Sequence, residues 1–138
     1  MRVIEAEDMV SFDTDLIGPY GYCADISRAW VCGNEATEEQ KRLYAHAYAQ
    51  VQHDIELLKP GMTFKEVSDA SWPIPREFRA NRYGCMIHGV GLADEWPNIV
   101  YPEDWNDLGY DGLIEPNMVL AHSSSTSIPI RSNGMPRW

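Results

Sequence analysis

Two extended apolar runs, Val10 to Ile17 and Tyr22 to Ile26, are separated by Gly18-Pro19-Tyr20-Gly21, a run of turn formers that predicts a hairpin with a slightly long loop. This hairpin constrains the chain more than any other segment, because its flanks carry three aspartates. Alternation about Phe12 places Asp13 and Asp15 on one side of a strand, with Phe12 and Thr14 on the other, and the return strand brings Asp25 back beside Asp15. Such residues can be ordinary turn formers or a solvated strand face. Three same-facing acids between apolar neighbours argue otherwise, since buried like charges repel and lose hydration unless a cation or a proton joins them. With the later Ile87-His88-Gly89-Val90-Gly91, the oxygen donors acquire an imidazole, and the set reads as a metal site.

The rest of the chain is consistent with one domain of 138 residues, 44% of them apolar, enough to bury a real core. A formal charge of −10 with no basic stripe argues against nucleic-acid or anionic-membrane partners and suits cations. Cys23, Cys32 and Cys85 are odd in number and form no CxxC pair, so neither a zinc ribbon nor a disulfide framework is expected, and a reducing cytoplasm is the natural setting. No apolar run reaches the roughly 20 residues a membrane helix needs, and no targeting segment is read.

Thr37, followed by Glu38 and Glu39 and then Leu43, Ala47, Val51, Ile55 and Leu58, predicts a capped amphipathic helix that stops at Lys59-Pro60-Gly61. His46 and His53 share a face of it and read as surface or half-buried residues rather than ligands. Thr63 and Glu66 form a capping box for a second helix running to about Ser71, ended by Pro73 and Pro75. Tyr83 to Val90 reads as a strand whose glycines allow close backbone approach. Asp94 to Asp111 reads as a loop shaped for a ligand, and Leu113 to Leu120 as a buried strand after a turn at Glu115-Pro116-Asn117. The polar, aperiodic segment 121–138 is expected to fray, and no internal repeat is visible.

Asp13-Thr14-Asp15, Tyr22-Cys23-Ala24-Asp25-Ile26-Ser27-Arg28, Lys59-Pro60-Gly61-Met62, His88-Gly89-Val90-Gly91 and Glu115-Pro116-Asn117-Met118-Val119 together resemble the superfamily of methionine aminopeptidase, prolidase and creatinase. Ser11-Phe12-Asp13-Thr14-Asp15-Leu16-Ile17-Gly18 and Gly91-Leu92-Ala93-Asp94-Glu95-Trp96-Pro97 resemble its dimethylsulfoniopropionate lyase branch, whereas peptidase members usually carry Asp-x-Gly at the first motif. The resemblance covers about residues 3 to 120. It implies an α/β (α+β) pita-bread fold with a curved antiparallel sheet and flanking helices, here incomplete.

For the site, the resemblance implies Asp13, Asp15, Asp25 and His88 as ligands of divalent metal, iron first with manganese or zinc as alternatives. Asp94 is implied as the base and Tyr83 as a substrate-binding residue. Two further glutamate ligands are implied. One falls on Ser123 and the other near the end of the chain, and neither is present. Residues 1–120 are therefore expected to be a partial catalytic domain without the family's N-terminal domain, and 121–138 a tail foreign to the family. The implied reaction is β-elimination of dimethyl sulfide from a small sulfonium carboxylate, leaving acrylate, with a homodimer for the intact parent and an inactive or weakly active fragment here. The competing readings are a metal-dependent Xaa-Pro peptidase, disfavoured by the lack of histidine in Leu92 to Pro97, and a non-catalytic metal-binding fragment. Trp96, Tyr101, Trp105 and Tyr110 could offer ring faces to a sulfonium, though core packing suits each better. Codons for His122 to Ser127 can be chosen so that a shifted frame restores a glutamate, which predicts a frameshift or truncation. Sequencing the locus with its flanking DNA is expected to reveal the broken frame, and a continuous frame with a native stop after Trp138 would refute it.

Overall fold

The computed structural model describes residues 3–33 and 35–123, so the expected fraying of the tail falls outside the described residues from position 124 onward. Ten regular elements follow one another: β1 (Met9–Phe12), β2 (Leu16–Ile17), β3 (Cys23–Ala24), β4 (Arg28–Val31), α1 (Glu38–Leu57), α2 (Phe64–Ala70), β5 (Ile87–Gly89), β6 (Asn98–Ile99), α3 (Trp105–Leu108) and β7 (Leu120–His122). All strand pairs are antiparallel, and among the described residues they group into three small sheets, β1-β4, β2-β3 and β6-β5-β7.

The expected hairpin is present but jointed. β1 pairs with β4 as far as Phe12 opposite Arg28, pairing lapses, and it resumes with Leu16 opposite Ala24. Asp13, Thr14 and Asp15 lie in this gap rather than on a strand, as do Asp25, Ile26 and Ser27 across from them. Local bonds explain the lapse. Asp13 Oδ1 accepts from the Thr14 N–H (3.1 Å) and the Ser27 hydroxyl (2.6 Å), and the Thr14 hydroxyl donates to the Ile26 carbonyl (3.0 Å), so side chains take up groups that a ladder would use. The flanking apolar residues stand out: Phe12, Leu16, Ile17 and Ile26 are all exposed.

Both helices begin where their caps place them. Thr37 accepts from the Gln40 N–H while the Gln40 side chain accepts from the Thr37 N–H, and Thr63 and Glu66 repeat the arrangement for α2. The inner face of α1 differs from the expected stripe. Leu43, Gln50 and Asp54 are its buried residues, Val51 is half-buried and Ile55 exposed. The stripe is rotated because Asp54, fully buried, accepts from the Trp72 N–H (2.7 Å) and pairs with His53 Nδ1 (2.9 Å) and His122 Nε2 (2.9 Å). One carboxylate thus ties α1 to the chain after α2 and to β7. His53 also packs edge-on against Trp72, and His46 packs beside Trp72 and Phe78, in keeping with the half-buried positions expected of both.

The core lies between the helices and the central sheet, formed by Leu43, Phe64, Val67, Ile74, Phe78, Met86, Ile87, Ile99, Tyr101 and Ile114. The strand expected over Tyr83–Val90 is regular only at Ile87–Gly89. The segment expected to be a loop from Asp94 contains β6 and α3, too short to leave a period in the sequence. The expected strand before Leu120 begins at Leu120 instead, with Val119 exposed.

Burial pushes the Asp54 carboxyl up, but the bonds from His122, His53 and the Trp72 N–H outweigh it and hold the group below the ordinary carboxylate range. A folded pKa below the unfolded one stabilises the fold above the unfolded value, with that stability lost as pH falls through the folded value. Asp54→Asn is expected to cost about 2–4 kcal/mol in urea unfolding at pH 7. The mutant's stability should also fall less steeply than the wild type's on acidification below about pH 4.

Candidate metal centre

The hairpin gap and the central sheet meet at one contact. His88, almost fully buried at the middle of β5, sets its Nε2 3.1 Å from Asp25 Oδ2. The approach is braced on the backbone, where the Cys23 N–H donates to the Gly91 carbonyl (2.7 Å) and the Gly89 N–H to the Pro97 carbonyl (2.6 Å). Gly89 is required there, since a Cβ would run into the Trp96 carbonyl and the Pro97 ring.

Two groups of donors share Asp25. The ligand atoms of Asp13, Asp15 and Asp25 lie within 4.8 Å of one another, and so do those of Asp25, His88 and Glu95. Donors about 2.0–2.3 Å from one ion sit within roughly 4.5 Å of each other, so each group is near the span of a coordination shell. The four expected ligands are thus brought together, Asp13 and Asp15 exposed and Asp25 and His88 largely buried. Glu95 joins them, although the sequence suggested it only as a charged neighbour of Asp94.

The chemistry of the donors fits a cation. His88 Nδ1 lies 3.2 Å from the Gly89 carbonyl, which can only accept, so Nδ1 carries a proton. His88 Nε2, turned to Asp25, is then the ring nitrogen placed to offer a lone pair, with Asp25, to an ion. Burial first, and then the Asp13 charge, push the Asp25 carboxyl up, against a smaller lowering by His88.

Beside this centre lies a cavity of about 490 Å³ lined by Tyr83, Cys85, Glu95, Trp96, Asn98 and Leu108 among others. The Tyr83 hydroxyl sits 3.5 Å from Glu95 Oε1, and burial followed by the Glu95 charge pushes it above the usual phenol range. Asp94 is half-buried with Oδ1 enclosed and without a hydrogen-bond partner. Of the four aromatic residues considered for a cation, Trp96 lines the cavity. Tyr101 is buried in the core, and Trp105 and Tyr110 pack against it, Tyr110 stacking on Trp96 at 5.1 Å between ring centres.

The helices, the antiparallel sheets and the shared carboxylate centre with one histidine are the marks of a partial pita-bread domain, and solved structures agree. The Pyrococcus horikoshii prolidase is 30% identical with a TM-score of 0.66, over 86% of this chain and 33% of that one. The Thermotoga maritima X-Pro aminopeptidase is 25% identical with a TM-score of 0.67, over 86% and 32%. The model of metallopeptidase family M24 matches residues 1–134, and the chain belongs to that family, whose members depend on divalent metal. Among curated relatives, the dimethylsulfoniopropionate lyase DddP of Roseovarius nubinhibens is 46% identical over 121 residues, 86% of this chain and 27% of that protein. The Xaa-Pro dipeptidase of Pyrococcus furiosus is 33% identical over 85% of this chain and 34% of its own length. The chain therefore spans about a quarter to a third of the length of the relatives it matches. No helix among the described residues is long and apolar enough to cross a membrane.

Burial and the neighbouring Asp13 both work against a charged Asp25. Asp25→Asn is expected to raise the melting temperature of the metal-free chain by a few degrees while abolishing the rise that added Mn(II) produces in the wild type, both read by differential scanning fluorimetry.

Proposed function

We propose that this chain carries part of a metal-dependent dimethylsulfoniopropionate lyase site, with Asp13, Asp15, Asp25 and His88 as metal ligands, and that on its own it turns over weakly at most. The observation that carries the reading is the jointed hairpin, which adds Asp13 and Asp15 together to Asp25 in a chain 46% identical to a protein of that activity. Bound divalent metal, iron or manganese, would supply Lewis-acid stabilisation for the charge that develops on the substrate carboxylate.

The remaining work falls to side chains. Asp94, with its enclosed and unpartnered oxygen, takes the proton from the carbon beside the substrate carboxylate. The electron pair left behind forms the carbon–carbon double bond, the carbon–sulfur bond breaks, and dimethyl sulfide departs with that bonding pair, leaving acrylate. Tyr83, kept protonated by burial and by Glu95, is a hydrogen-bond donor at the cavity wall. Trp96 offers that wall a half-exposed ring face, to which a sulfonium is attracted by about 0.5–2 kcal/mol. Ser123, at the position where the lyase branch has a glutamate, follows β7 with its N–H on the Met86 carbonyl (2.9 Å) and supplies no carboxylate, which is why turnover is expected to be weak.

A hydrolase acting on Xaa-Pro dipeptides is the second reading, favoured by the likeness to prolidase structures. Incubating the chain with Fe(II) or Mn(II) and following dimethyl sulfide and proline release side by side separates the two. Slow dimethyl sulfide release without proline release is expected, and Asp94→Asn is expected to lower it about 10²–10⁴-fold with metal content unchanged. Proline release would overturn the lyase reading, and an undiminished rate in Asp94→Asn would remove Asp94 as the base.

A further inference from the structure

The second donor group contains a carboxylate that the lyase reading does not use. Glu95 follows Asp94 directly, and its carboxylate oxygen lies within 4.8 Å of the donor atoms of both Asp25 and His88. Its backbone is held at φ 65°, the left-handed region that a side-chain-bearing residue occupies only at a cost of about 1–3 kcal/mol. The loop is fixed on its C-terminal side, where the Gly89 N–H bonds the Pro97 carbonyl and β6 then pairs with β5. The bend directs an otherwise exposed glutamate toward a buried histidine.

We propose that Glu95 is itself a metal ligand, completing with Asp25 and His88 one metal position, while Asp13, Asp15 and Asp25 make up the other. The proposal rests on the metal-site reading above and deepens it. A carboxylate from the loop after β5 takes the part of a third donor that Ser123, a hydroxyl, leaves open at the end of β7. The neighbours suit this role. Tyr83 donates to the Oε1 side of the carboxylate at 3.5 Å, an orienting partner of the kind that metal-bound carboxylates commonly have. Because Glu95 also lines the 490 Å³ cavity, the position it completes is the one that faces that cavity.

The test uses the whole chain and metal alone. Wild type, Glu95→Gln and Glu95→Asp are titrated with Mn(II), free ion being followed by electron paramagnetic resonance, and with Co(II), followed by its visible absorption. Glu95→Gln is expected to weaken binding at one position about 10- to 100-fold and to change the Co(II) band. Glu95→Asp, which keeps the charge but withdraws it by one methylene, is expected to weaken binding less and to shift the same band. Affinity, stoichiometry and Co(II) spectrum equal to wild type in either variant would overturn the assignment of Glu95 and leave the metal site standing. Absence of binding by the wild type would overturn both.

Discussion

The approach of His88 to Asp25 is the contact on which the arrangement depends. On one side stands a buried histidine in the middle of the central sheet, and on the other the return arm of an exposed hairpin. The Gly89 carbonyl fixes the proton on Nδ1, so everything that faces the hairpin is decided by what occupies the space at Nε2. Asp13 and Asp15 stand within 4.8 Å of Asp25, so the same contact also sets where their carboxylates lie relative to the sheet. The hairpin therefore owes its placement partly to electrostatics, whereas α2 is fixed through Phe64 and Val67 in the apolar core.

Two buried aspartates show how the same side chain is turned to opposite ends. Asp54 receives a backbone N–H and two imidazoles, and its carboxyl is held down; it joins α1 to β7 and needs nothing further. Asp25 has one imidazole and two further aspartates for neighbours, and its carboxyl is pushed up. A satisfied carboxylate is a structural tie, and a frustrated one is a place where a cation gains free energy by binding.

Local signals were legible in the sequence and tertiary ones were not. The caps at Thr37 and Thr63 and the turn at Gly18 to Gly21 act within a few residues, so residue identity alone is enough to place α1, α2 and the hairpin. Asp54 was not foreseeable as a buried residue, because the partners that justify it, His122 and the Trp72 N–H, lie far along the chain, and the apolar stripe through Val51 and Ile55 was the better local pattern. Of the candidate centre, the aspartates and His88 were visible through spacing and resemblance. Glu95 was not, since a backbone bend at positive φ within an aperiodic segment leaves only a charged residue beside another. β6 and α3, with two and four residues, fell below the length at which periodicity can be read.

The lapse in pairing between β1-β4 and β2-β3 gives the hairpin a joint at the carboxylates. Each ladder keeps its own register, and the three residues between them on either arm belong to neither. Carboxylates carried on such a joint are spaced by local side-chain hydrogen bonds rather than by the fixed repeat of a sheet, so their separation is independent of either ladder.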